Sequence, residues 1–135
     1  VRWFKMAANQ REPNGQSNLG WMYQKGRGVA KDYAKAVEYY QKAAAHGLAA
    51  GKYNLGYMYQ YGLGVEQNYD TTTKLYGSAA KQGVPIANSD LGFMYEHGSG
   101  VPADYKQALI YYKEAAKKRA NLDMQWDIFE TPTAD

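Results

Sequence analysis

The chain is predicted to be all-α, a superhelix or solenoid of stacked helix-turn-helix units, and three observations carry that prediction. The sequence aligns with itself three times at an offset of about 36 residues, the mark of a repeat architecture. Asn18-Leu19-Gly20-Trp21-Met22-Tyr23 recurs as Asn54-Leu55-Gly56-Tyr57-Met58-Tyr59 and as Asp90-Leu91-Gly92-Phe93-Met94-Tyr95. One turn follows every block: Gly26-Arg27-Gly28-Val29, Gly62-Leu63-Gly64-Val65 and Gly98-Ser99-Gly100-Val101. Between turns the apolar residues fall at helical spacing, as at Gly51, Leu55, Met58 and Tyr59, then Tyr69, Leu75, Tyr76, Ala79 and Ala80.

Each unit therefore reads as a helix A, a glycine turn and a helix B. Units span 13–48, 49–84 and 85–119, behind a half unit at 1–10 in which Trp3-Phe4 aligns with Tyr39-Tyr40 and Ala7-Ala8 with Ala43-Ala44. Pro13 and Pro85 open helix A at the position that tolerates a missing N–H. Asp32, Asn68 and Asp104 precede helix B as N-caps, and Gly47 and Gly83 close it. Gly20, Gly56 and Gly92 lie inside helix A, where glycine costs about 0.5–1 kcal/mol relative to alanine, so a close backbone approach is expected there. In unit two, Thr72 and Thr73 replace Ala36 and Val37 and Gly77 sits mid-helix, which predicts the least protected helix of the chain. Unit three ends instead in Lys117-Lys118-Arg119, which suits a helix C-terminus. Residues 120–135 are expected to form a cap and tail, with Leu122, Met124, Trp126, Ile128 and Phe129 laid over the last helices and the chain disordered after Thr131.

Composition narrows the function classes. A chain of 135 residues with 45% hydrophobic content suits one domain. The 14 tyrosines and three tryptophans against three phenylalanines favour surfaces that are apolar on one side and wet on the other. A net charge of +3, with lysines spread evenly along the helices, leaves no basic stripe for nucleic acid. Without cysteine there is no disulfide framework, thiolate nucleophile or Cys-ligated zinc, and the compartment stays open. No segment approaches the length of a membrane span. The chain begins inside a repeat and lacks a starting Met, so it reads as cut from something longer.

At the Leu-Gly-x-Met-Tyr run, the Gly-x-Gly-Val turn, the Asp-Tyr cap and the Tyr-Tyr-x-x-Ala-Ala run, the chain resembles the Sel-one-like repeat family, a cousin of tetratricopeptide repeats, from Val1 to Arg119. The resemblance implies a right-handed α/α superhelix acting as an adaptor or scaffold, in bacterial envelope and signalling proteins and in eukaryotic quality-control complexes. Some secreted relatives are cysteine-rich and reported to bind or hydrolyse β-lactams, and this chain departs from them in having no Cys.

In such a solenoid helix A lines the concave side. If Gly15, Leu19, Met22 and Tyr23 point inward, another face holds Asn18, Trp21 and Lys25, then Tyr53, Asn54, Tyr57 and Tyr61, then Asp90, Phe93 and His97. Trp21, Tyr57 and Phe93 place an aromatic at one position of every unit, beside a row of Asn18, Asn54 and Asp90. Such a row either grips a partner or packs helix A on the next helix A. With helices about 8–10 Å apart, three in a row accommodate an extended segment of about six to nine residues, in the micromolar range. The expected function is a non-catalytic interaction module for a protein or peptide partner. The alternative is a cell-wall sugar or peptide binder, and more remotely a β-lactam hydrolase-like protein. The apolar edge from Trp3 to Gln10 also suggests end-to-end self-association.

No cofactor or metal is expected. The Gly-x-Gly turns lack both a third glycine and a Gly-Lys-Ser/Thr ending, and each follows a helix. His46 and His97 occupy different repeat positions with no second ligand at metal spacing. Ser17 and Ser89 have no histidine placed to activate them, and Glu38 and Glu114 sit on a solvated face with the lysines.

Overall fold

The punctuation of the sequence becomes the boundaries of six helices in a computed structural model that describes residues 12–130, with side-chain surroundings through Asn121. They are α1 (Pro13–Lys25), α2 (Tyr33–Ala45), α3 (Ala49–Tyr61), α4 (Tyr69–Lys81), α5 (Pro85–His97) and α6 (Tyr105–Glu130). Odd-numbered helices are the A helices and even-numbered ones the B helices. Among the described residues there is no strand, and no helix is long and apolar enough to cross a membrane. The half unit at 1–10, with its proposed stacking edge, and the tail after Thr131 lie outside the described residues.

The caps form as their chemistry requires. The side-chain oxygens of Asp32, Asn68 and Asp104 each accept from the backbone N–H three residues on, at 3.1 Å. Each A helix ends in a left-handed glycine, Gly26, Gly62 or Gly98, whose N–H returns to a methionine carbonyl. The backbone N–H of Asp32, Asn68 and Asp104 then bonds the carbonyl of Tyr23, Tyr59 and Tyr95 at 2.9 Å. Turn and cap form one rigid connection.

The second glycine of the turn joins neighbouring units. At Gly64, with φ +74°, a Cβ would lie 2.6 Å from the carbonyl carbon of Tyr33. At Gly100 it would collide with the Tyr69 side chain. These two turns therefore rest on the first turn of the preceding B helix, where positive φ and lack of space both demand glycine.

The mid-helix glycines have another purpose. A Cβ at Gly20, Gly56 or Gly92 would stand 2.7–2.8 Å from the ring of Tyr40, Tyr76 or Tyr112. The expected close approach is thus mainly of an aromatic ring to the backbone. Each tyrosine hydroxyl then donates to a side chain at the end of the same A helix: Tyr40 to Gln24 and Tyr76 to Gln60 at 2.6 Å, and Tyr112 to Glu96 at 2.7 Å. Approach of helix to helix backbone occurs at Gly51, whose Cβ would meet the Ala44 nitrogen at 2.9 Å.

The core lies between units. Ala36, Val37 and Tyr40 of α2 bury against Leu55 and Met58 of α3. Tyr76, Ala79 and Ala80 of α4 bury against Ala87, Leu91 and Met94 of α5. Hairpins with one apolar face left over bury it on the next hairpin, which is the logic of a solenoid.

A polar network at matching places ties the two helices of a unit together and to the end of the unit before it. Lys52 on α3 donates to Ser78 Oγ at 2.9 Å and Gln82 Oε1 at 2.7 Å, while Gln82 donates to the Gly47 carbonyl at 2.9 Å. One unit later the amine and amide exchange places: Lys118 donates to Asn88 Oδ1 at 2.8 Å and to the Ala80 carbonyl at 2.7 Å.

Two features differ from the sequence reading. Thr72 is fully buried, yet its hydroxyl lies within bonding distance of the Gly56 and Asn68 carbonyls at 3.1 and 3.0 Å, so its polarity is satisfied. The chain also shows no backbone break at residue 120. Helix α6 runs 26 residues, twice the length of the others, because the Ala115 to Ala120 run holds strong helix formers where units one and two have a closing glycine. The expected packing of Leu122, Met124, Trp126, Ile128 and Phe129 falls on side chains outside the described residues.

Candidate functional site

Helical spacing and the glycine seam together decide which A-helix residues remain outside the core. Leu19, Leu55 and Leu91 turn in, beside the glycines. One turn away, Asn18, Trp21 and Lys25 on α1 are exposed, and Tyr53, Asn54 and Tyr57 on α3 are half-buried. Tyr61 is 56% exposed and Phe93 on α5 is 52% exposed. Asp90 is half-buried and His97 exposed.

Between α3 and α5 lies a cavity of about 280 Å³, open to solvent on one side and lined by Tyr53, Tyr57, Gln60, Tyr61, Asp90 and Phe93. Five of the ten residues singled out from the sequence line it. His97 is adjacent, its ring 4.2 Å from that of Phe93. Asn18, Trp21 and Lys25 stay on the open face of α1, and Asn54 is not among the lining residues. The aromatic row divides: Trp21 and Phe93 are exposed rings, whereas Tyr57 leans on the core between units one and two.

One hydrogen bond holds the cavity's two walls together. Tyr53 donates its hydroxyl to Asp90 Oδ2 at 2.6 Å, and its ring stacks on Tyr76 at 5.0 Å between centroids. Tyr76 in turn fixes Gln60, which the sequence reading passed over. Its signal was present: Gln24, Gln60 and Glu96 follow the Met-Tyr pair in every unit. The Tyr53–Asp90 bond had no such signal, since each residue departs from the repeat, Tyr53 from Ser17 and Ser89, Asp90 from Asn18 and Asn54.

Burial pushes the Asp90 carboxyl above the usual carboxylate range, against the opposing effects of the Tyr53 hydrogen bond and the charge of Arg119. Burial, and then the bond to Asp90, pushes the Tyr53 hydroxyl far up. Burial likewise raises Tyr61. Both tyrosines keep their protons across the physiological range, and Tyr53 acts as a donor. The site thus offers aromatic faces, one amide and one carboxylate. Among the described residues no group of three His, Cys, Asp or Glu side chains could hold a metal ion.

A protein-family model described as Sel1 repeat matches residues 1–11, 13–48, 49–84 and 85–119. The chain belongs to the Sel1 repeat family. Sel1 repeats generally serve as non-catalytic modules for protein–protein interaction. Among solved structures the chain is similar to a Sel1 repeat protein from Oxalobacter formigenes, at 38% identity and a TM-score of 0.75, covering 78% of this chain and 43% of that one. It is also similar to c5321, a protective antigen of uropathogenic Escherichia coli with the same fold, at 39% identity and a TM-score of 0.84, covering 87% and 25%. Helicobacter pylori cysteine-rich protein B matches at 32% identity and a TM-score of 0.61, covering 64% and 65%. This Sel1 chain therefore spans less than half the length of the first two. No curated protein matches it.

Proposed function

We propose that this Sel1 chain is a docking module that holds an extended segment of a partner protein along the exposed face of its A helices. The observation that carries the reading is the cavity between α3 and α5, with the exposed rings of Tyr61 and Phe93 at its mouth and Asp90 in its wall. Rigid rings supply apolar contact at low entropic cost, and the carboxylate and Gln60 supply hydrogen-bonding groups. With no flanking units, such a groove binds in the micromolar range, and further repeats would strengthen it.

The test is a peptide array and a muropeptide panel probed with the chain and with Phe93→Ala and Tyr61→Ala. Retention of peptides that both variants lose supports the docking reading. Retention of muropeptides alone makes the site a cell-wall binder, and nitrocefin turnover would make the chain a hydrolase.

A further inference from the structure

We propose that the cavity between α3 and α5 takes a basic side chain of the docked segment, an arginine or lysine head seated against Asp90 among the rings of Tyr57, Tyr61 and Phe93. The inference rests on the docking reading above and adds the chemistry of the residue that enters.

Units one and two have an amide, Asn18 and Asn54, where unit three has Asp90. The change adds a charge at a half-buried position, which is costly unless a cation answers it. Tyr53 bonds one carboxylate oxygen. Among the described residues no lysine, arginine or histidine lies within ion-pair distance of either oxygen, and Arg119 on α6 acts only through space. An apolar side chain entering here would strip water from Asp90 and give nothing back, and an acidic one would be repelled.

Aromatic faces are electron-rich, so rings around a carboxylate favour a cation twice over. Tyr61 and Phe93 each keep about half their surface open to receive one.

In unit one the guanidinium of Arg27 lies over the Trp21 ring, 5.5 Å from its centroid. Trp21 is the counterpart of Tyr57 and Phe93, and the counterparts of Arg27 are Leu63 and Ser99. The chain thus supplies its own cation to the ring of unit one and none from that position to the rings of units two and three. At about 280 Å³ the space suits a single long side chain.

The experiment is an NMR titration of the chain with N-acetylarginine amide, N-acetyllysine amide and, as the neutral isostere, N-acetylcitrulline amide. Saturable shifts at Tyr61, Asp90 and Phe93 are expected with the two cations, in the millimolar range for so small a ligand. Citrulline should bind about tenfold more weakly or worse, and Asp90→Asn should weaken arginine by a similar factor. Asp90→Asn restores the amide of units one and two, so it should fold. Phe93→Ala is a second variant expected to weaken both cations. Absence of saturable shifts with the cations, equal binding of arginine and citrulline, or no effect of Asp90→Asn overturns the proposal. The array separates the two readings: groove-dependent peptides with no enrichment in basic residues sink this inference and leave docking intact, whereas no groove-dependent peptide sinks both.

Discussion

Gly56→Ala tests the packing that builds both core and groove wall. A Cβ at Gly56 would lie 2.8 Å from Tyr76 Cε1, 2.9 Å from Cδ1 and 3.3 Å from Leu75 Cβ. Carbon atoms rest about 3.5–4.0 Å apart, so the ring must retreat by roughly 1 Å. It has nowhere to go, being fully buried with its hydroxyl held 2.6 Å from Gln60. Overpacking of this kind costs about 1–3 kcal/mol. Alanine returns about 0.5–1 kcal/mol of helix propensity, leaving a net loss of about 1 kcal/mol at the middle of these ranges and at most about 2.5 kcal/mol. A methyl group added at Gly77, mid-helix in α4, would meet nothing within 4 Å, so Gly77→Ala keeps the propensity gain without the clash. The same substitution, 21 positions apart in one unit, should move the urea midpoint in opposite directions. In thermal unfolding each kcal/mol corresponds to about 4 °C for a chain of this size. A Gly56→Ala variant at least as stable as the parent would refute the account of the seam, as would a Gly77→Ala variant that is destabilised.

Three further outcomes are expected. Phe93→Ala should abolish most groove binding while costing less than about 1 kcal/mol of stability, because half its ring is already in water; equal loss of both in parallel binding and melting assays would make the ring a core residue. Tyr76→Phe removes the donor to Gln60 and should cost about 1 kcal/mol in urea unfolding, with groove binding also weakened; an unchanged midpoint would mean that water replaces the hydroxyl at no cost. Asp90 binds its proton more tightly in the folded chain than at the ordinary value of 3.8, so its contribution to stability is full below that value and lost as pH rises through the raised one. Asp90→Asn should therefore gain stability relative to the parent as pH rises from below 3.8 through the raised value, and a difference that stays constant across paired melts would contradict the burial.

Repetition makes the helices legible in advance, because caps and turn glycines act over three or four residues and recur at the same place in each unit. Asp32, Asn68 and Asp104 cap helix B through bonds to the N–H three residues on, a local geometry that spacing alone implies. The face of helix A is readable for the same reason, since 3.6 residues per turn assigns Leu55 inward and Tyr61 outward. Thr72 departs from expectation because residue type does not show that a hydroxyl finds the Gly56 carbonyl across the hairpin. The end of helix B in unit three has a similar origin: absence of a closing glycine permits a helix to continue, whereas the repeat pattern assigns a boundary there.

What chain order could establish was the hairpin, its length, its caps and which stripe faces a neighbour, all consequences of short-range backbone geometry and a period copied three times. What required the folded arrangement was the meeting of residues that break the period. Tyr53 and Asp90 stand 37 positions apart on successive units, and neither carries a mark that names the other. Their contact exists because stacking sets α3 beside α5, and Tyr53 is backed there by the Tyr76 ring, itself seated against Gly56 of the neighbouring helix. Side-chain encounters between units are settled by packing in three dimensions, to which a linear pattern has no access.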